Sequence, residues 1–200
     1  TITVNAVNDA PVNTVPAAQS TGDTVPLVLS TANANAISVA DVDAGTGLVQ
    51  MTFATGAAAN GTLSLANPGS VLATLTGNGT ETVVATGTIT ALNTALNGPA
   101  GGLTYTPVAG TTAARTITVT TDDQGNTGAG GAQTDTDTIT VNVDAPPVVT
   151  SNPASGATIA ENAAITVNFS EPVNVAAGIT FTCTAGTVSG LGGTTGSNVS

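Results

Sequence analysis

The sequence predicts an all-β chain, and three observations carry that prediction. Stretches such as TITVN (residues 1–5) and RTITVTT (115–121) alternate Thr or Asn with Ile and Val, the period of a half-buried strand. The chain contains 24 Gly and 10 Pro, spaced as turn punctuation between β-branched runs. TITVN then returns unchanged at 138–142, and Asp-Ala-Pro follows each copy. A self-match of that kind marks a repeated module, and proline stops the strand because it cannot donate to a ladder.

In chain order, residues 1–11 read as the last strand and linker of a preceding repeat. Residues 12–144 read as one β-sandwich domain. Its expected strands are 12–15, 24–29, 36–40, 48–54, 61–65, 71–75, 82–86, 103–106, 115–121 and 136–143, at the spacing of a sandwich. Residues 89–102 break the pattern. Leu92 and Leu96 are four apart and Asn97-Gly98 ends the run, which predicts a short helix near 90–97 with Thr90 as its N-cap. GAGGAQTDTD (128–137) reads as a flexible polar loop. From Ala145 the composition resets. Pro146-Pro147 is a stiff linker, and strands are expected at 148–149, 165–169 and 179–181 of a second domain. Residues 145–200 are too few for a whole immunoglobulin-type sandwich of about 100 residues, so this segment is expected to be its truncated N-terminal part.

Composition excludes several functions. Arg115 is the single cationic residue against 12 acids, and there is no His, for a net charge of −11. Nucleic acid and anionic lipid both demand clustered Lys and Arg. Without His or Lys, and with only Cys183, the usual nucleophile–base pairs and zinc sites lack partners. A glycosidase needs only two carboxylates, but its aromatic platforms are missing: there are three Phe, one Tyr and no Trp. Tyr105, Phe53, Phe169 and Phe181 all sit in strand patterns that suggest core. No run reaches the ~20 apolar residues of a membrane span. The Asn-x-Ser/Thr matches at 60, 78, 168 and 198 carry little weight in so Thr-rich a chain.

The acids are more informative. They gather as Asn8-Asp9, Asp41-Val42-Asp43, Asp122-Asp123 and Asp135-Thr136-Asp137. Each cluster alone is ordinary turn chemistry. In a sandwich, however, Asp9, the 41–43 turn and the 122–125 turn can meet at one end. Close-set carboxylate and amide oxygens are what Ca²⁺ takes as ligands, so calcium is expected there.

These residues resemble the cadherin-like tandem repeats of large bacterial surface and secreted adhesins. The resemblance covers residues 1–144 and rests on several motifs in order. They are the TITVNAVNDAP close, Asp41-Val42-Asp43-Ala44, the run from Gly87 to Leu96, Leu103-Thr104-Tyr105-Thr106-Pro107, and the turn Val119–Asn126. It implies a Greek-key sandwich and calcium between domains, with Asn8, Asp9, Asp41, Asp43 and Asp122 or Asp123 as ligands. Ala6 and Ala10 stand where the cadherin linker has polar ligands, and Asp144-Ala145-Pro146-Pro147 lacks the Asn-Asp pair. Residues 146–175 resemble the start of a bacterial Ig-like domain. The expected function is therefore a non-enzymatic segment of an extracellular or cell-surface bacterial adhesin. Its partners would be neighbouring repeats and a host-cell, matrix or polysaccharide receptor. The alternative is a ligand- or carbohydrate-binding module of a secreted enzyme, which would need an exposed binding platform.

Overall fold

Alternation along the strands decides which side chains meet. The structure, a computed structural model, describes residues 5–152, 166–173 and 196–199. The chain divides into two compact units, Thr1–Ala145 and Pro146–Ser200.

Unit 1 is an all-β sandwich with one short helix. Its strands are β1 (Val12–Thr14), β2 (Gln19–Gly22), β3 (Leu27–Leu29), β4 (Ser38–Ala40), β5 (Val49–Ala54), β6 (Thr62–Leu65), β7 (Thr74–Thr76), β8 (Thr82–Gly87), β9 (Leu103–Thr106), β10 (Arg115–Asp122) and β11 (Thr134–Asp144). A six-stranded sheet runs β2-β11-β10-β5-β8-β7, a three-stranded sheet β3-β9-β6, and β1 pairs with β4. Neighbours that are distant in sequence, such as β10 beside β5 and β9 beside β3, make this a Greek-key arrangement. The pairing of β2 with β11 is parallel, with Val141 opposite Gln19 and Asp144 opposite Gly22.

The six-stranded sheet turns Val49, Met51 and Phe53 of β5, Val83 and Ala85 of β8, Ile117 and Val119 of β10 and Ile139 and Val141 of β11 inward. Opposite lie Leu29, Leu63, Leu65, Leu103 and Tyr105. Each such aliphatic side chain contributes about 1.5–3 kcal/mol of burial. Thr fills the alternate, outward positions, because a β-branched hydroxyl suits a pleated surface that faces water.

Helix α1 (Ile89–Asn97) buries Leu92, Ala95 and Leu96. Its N-cap is Thr88, whose hydroxyl accepts from the Ala91 N–H, so the expected cap at Thr90 is corrected by one half-turn. The Asn93 side chain bonds both the N–H and the carbonyl of Val39, which pins the helix to β4. Two further expectations are corrected. β2 was not foreseen, and β11 begins two residues earlier than expected, taking in residues 134 and 135 of the expected loop.

In unit 2, β12 (Val149–Asn152), β13 (Thr166–Val173) and β14 (Gly196–Val199) form an antiparallel sheet. The strand expected at 179–181 lies outside the described residues. Among the described residues, no helix is long and apolar enough to cross a membrane.

Candidate functional site

The candidate site lies at the N-terminal pole of unit 1. Three pieces of chain converge there: residues 6–9, the turn at 41–44 and the loop from Asp123 to Gln133. The loop grips the incoming segment. Ala129 N–H donates to the Ala6 carbonyl and Asn8 N–H to the Ala129 carbonyl, both at 2.9 Å. Gly128 has φ +141°, and a Cβ there would lie 2.4 Å from the Asn8 nitrogen. The loop can close over the segment only because this residue is glycine.

Asp123 organises the loop. It is fully buried. Its Oδ1 accepts from Gly125 N–H at 2.7 Å and Gln133 N–H at 2.8 Å. Its Oδ2 accepts from the Asn8 amide, which also donates to the Gly131 carbonyl. Burial works to raise the Asp123 pKa, but these donors outweigh it and hold the carboxyl below the usual range. Asp122 points away from this cluster in its bonding and accepts from Gln124 N–H.

The Asp41-Val42-Asp43 turn supplies the other side. Asp41 Oδ1 accepts from the N–H groups of Asp43 and Ala44 at 3.1 and 3.0 Å. Asp43 Oδ2 accepts from Asp9 N–H at 2.9 Å, which joins the turn to the incoming segment. Burial pushes the Asp41 carboxyl above its usual range. The Asp43 N–H pulls it back, and the neighbouring Asp43 carboxyl adds to the rise. The Asp9 side chain is exposed.

Asn8, Asp9, Asp41, Asp43 and Asp123 are thus brought together, while Asp122 stands aside. Asn8 Oδ1, Asp41 Oδ2 and Asp43 Oδ1 are buried and have no hydrogen-bond partner. A buried oxygen left without a partner is costly, so each of the three would gain from a donor or a cation beside it. Among the described residues, no three acids, Cys or His side chains are gathered as a ready metal cage. The oxygens here are a mixture of amide and carboxylate, the kind that hard divalent cations accept.

Sequence reasoning missed Asn13. It sits on β1, 8% exposed, with its N–H on Asp135 Oδ2 and its side chain between the Asp135 carbonyl and the Thr121 hydroxyl. An asparagine at an inward strand position was the available signal.

No family model matches the chain, and no curated protein matches it. Two solved structures have partial likeness. AggA, the major subunit of aggregative adherence fimbriae type I from Escherichia coli, matches with TM-score 0.34 and 13% identity, over 72% of this chain and 100% of that one. The C-terminal domain of the Streptococcus agalactiae AgI/II polypeptide BspA matches with TM-score 0.36 and 12% identity, over 80% of this chain and 60% of that one.

Proposed function

We propose that this chain is a non-enzymatic segment of an extracellular bacterial adhesin: a stalk of tandem sandwich modules, with a divalent cation, calcium, stiffening the junction at the N-terminal pole. The observation that carries the reading is the set of unpartnered oxygens on Asn8, Asp41 and Asp43. They belong to the incoming segment and to the module it enters, so one cation would tie the two. Asn8, Asp41 and Asp43 would hold the ion, with Asp9 at the rim, and Asp123 orients Asn8 from behind. The ion would supply the charge that the acids lack, cancelling their mutual repulsion. Residues 1–11 are then the close of a preceding repeat, and residues 145–200 open an Ig-like spacer. In unit 1 the aromatics Tyr105 and Phe53 are fully buried and offer no platform for a carbohydrate, which favours the stalk.

The test is thermal melting of the chain in calcium and in chelator. Extracellular modules hold calcium at about 10⁻⁴–10⁻³ M. About ten times that concentration adds roughly 1.4 kcal/mol, a rise of about 3–6 °C. Asp41→Asn with Asp43→Asn abolishes the gain and leaves the sandwich folded. Equal melting temperatures for the wild type in both conditions would sink the calcium reading.

A further inference from the structure

We propose that the segment from Val7 to Asp23 is a shear lock that bears load along the module, with the buried asparagines Asn8 and Asn13 as its pins. The idea deepens the stalk reading and rests on it for its biological use.

The path of the chain sets the geometry. Residue 8 is held beside Asp123 and Gly131, next to the start of β11, and the module's last strand residue, Asp144, is at the other end of that strand. Eleven residues of strand separate these ends, about 35 Å at ~3.3 Å per residue. β2 runs parallel to β11 over four register pairs. A pull that separates residue 5 from residue 145 therefore slides β2 along β11. Bonds in that geometry are loaded together, whereas a hairpin pulled open at one end breaks them one at a time.

Further bonds add to the parallel pairing at three levels, one in the loop before β11 and two along β11 itself. At the N-terminal pole, Asn8 bonds Ala129 through its backbone and Gly131 and Asp123 through its side chain. One step further along, Asn13 makes two bonds to Asp135, at 2.7 and 3.2 Å, and accepts a third from Thr121 of β10. At the far end, Asp23 N–H donates to the Asp144 carbonyl at 2.7 Å. Asn8 and Asn13 are 3% and 8% exposed, and Thr121 is fully buried. Of these bonds, Asn8 to Asp123 and Thr121 to Asn13 are buried, so water has little access to exchange with those two as they stretch, and they hold until the segment moves. Asn13 also crosses the sandwich: its strand pairs with β4, yet its side chain is fixed on β10 and β11.

A pin that bears load is separable from one that only stabilises. The full chain is held at constant force by its two ends, in chelator, so that the fate of the calcium reading does not enter. Unit 1 is recognised by its extension, at about 3.6 Å per released residue. Asn13→Ala should speed its unfolding under load by about tenfold or more, because the loss falls on contacts that break in the barrier step. Val83→Ala truncates a fully buried residue on β8, which lies three places from β11 in the sheet. It should lower equilibrium stability in denaturant while leaving the rate under load within about twofold. Thr121→Val keeps the side-chain shape, removes one bond, and should give an intermediate acceleration; it serves if Asn13→Ala fails to fold. If the pin variants unfold under load no faster than Val83→Ala at matched equilibrium loss, the lock is overturned.

Discussion

At one pole of unit 1, Asp123 holds the Asn8 side chain and the Asp41–Asp43 turn holds the Asp9 N–H; at the other, the Asp23 carboxylate takes the Gly110 N–H while its own N–H donates to the carbonyl of Asp144. Both poles bury a carboxylate: Asp123 is fully enclosed and Asp23 is 6% exposed. The surroundings differ. Asp23 shares its pole with Arg115, the only cation in the chain, whose guanidinium donates to Asn60 Oδ1 at 3.2 Å. Asn60 is tied in turn by its side chain to the Thr55 carbonyl and by its own carbonyl to the Tyr105 hydroxyl. That end too leaves buried polar atoms without a partner, Asp23 Oδ1 and Arg115 Nε, but one belongs to an acid and the other to a cation. The N-terminal pole instead brings carboxylates together beside three oxygens with no partner. If the proposed cation site is right, acids without a nearby cation should make the N-terminal pole more responsive to ions and protons than the far pole, where Asp23 and Arg115 occur together.

The largest effect should come from Asp123→Ala. It removes the acceptor for three donors, on Gly125, Gln133 and Asn8. At about 1–3 kcal/mol per buried group left unsatisfied, a loss of about 3 kcal/mol follows, seen as a fall of about 6–12 °C in melting temperature. Asp23→Ala frees the Gly110 N–H and should cost about 1 kcal/mol. Equal losses from the two variants would break the contrast between the poles.

Much of the fold was legible because the side-chain period is written plainly. β5, β8, β9 and β10 lie where alternation of Val, Ile, Phe or Tyr with Thr predicts them. β2 was not legible. Its residues, Gln19-Ser20-Thr21-Gly22, bury little and are held by pairing with β11, a tertiary cause that no local pattern records. The expected strand at 24–29 starts later, at Leu27, because Asp23 turns the chain there. The site was legible in part. Asp-x-Asp and Asn-Asp mark turns, and a sandwich offers few places for turns to meet. The roles within the site were not legible. Asp122 and Asp123 are adjacent in sequence, but strand alternation puts only one of them inward. Likewise the glycines at 128–131 read as flexibility, yet they shape the clasp on Asn8.

The far pole can be probed through a hydroxyl. Tyr105 is fully buried, and its hydroxyl donates to the Asn60 carbonyl at 2.6 Å. Burial raises its pKa, and Arg115 partly offsets the rise. Tyr105→Phe keeps the ring in place and removes one bond, for a loss of about 1 kcal/mol, or about 2–4 °C. It should not alter the response to calcium, because the tyrosine bonds to Asn60 at the opposite end. A changed calcium response in this variant would show that the two poles are coupled.

The smallest effect, and the sharpest on the N-terminal pole, is the pH dependence in chelator. Asp41 has a raised pKa in the folded state, so the folded chain takes up this proton more readily than the unfolded chain. Its contribution therefore improves as pH falls through the folded pKa toward the unfolded value of about 3.9. Asp123 works the other way. Its pKa is lowered in the folded state, so its stabilisation is full above about 3.9 and is lost as pH falls through the lower folded value. Between neutrality and about pH 4, mild acid should thus raise the melting temperature slightly in chelator before the loss at Asp123 sets in. The rise is modest because Asp41 is partly exposed and water screens it. Asp41→Asn should remove it. With calcium bound the slope should reverse over the same range, since protons then compete with the cation for the same oxygens. Identical pH profiles for the wild type and Asp41→Asn in chelator would mean that the turn carries no unbalanced charge, and the contrast between the poles would reduce to loop shape.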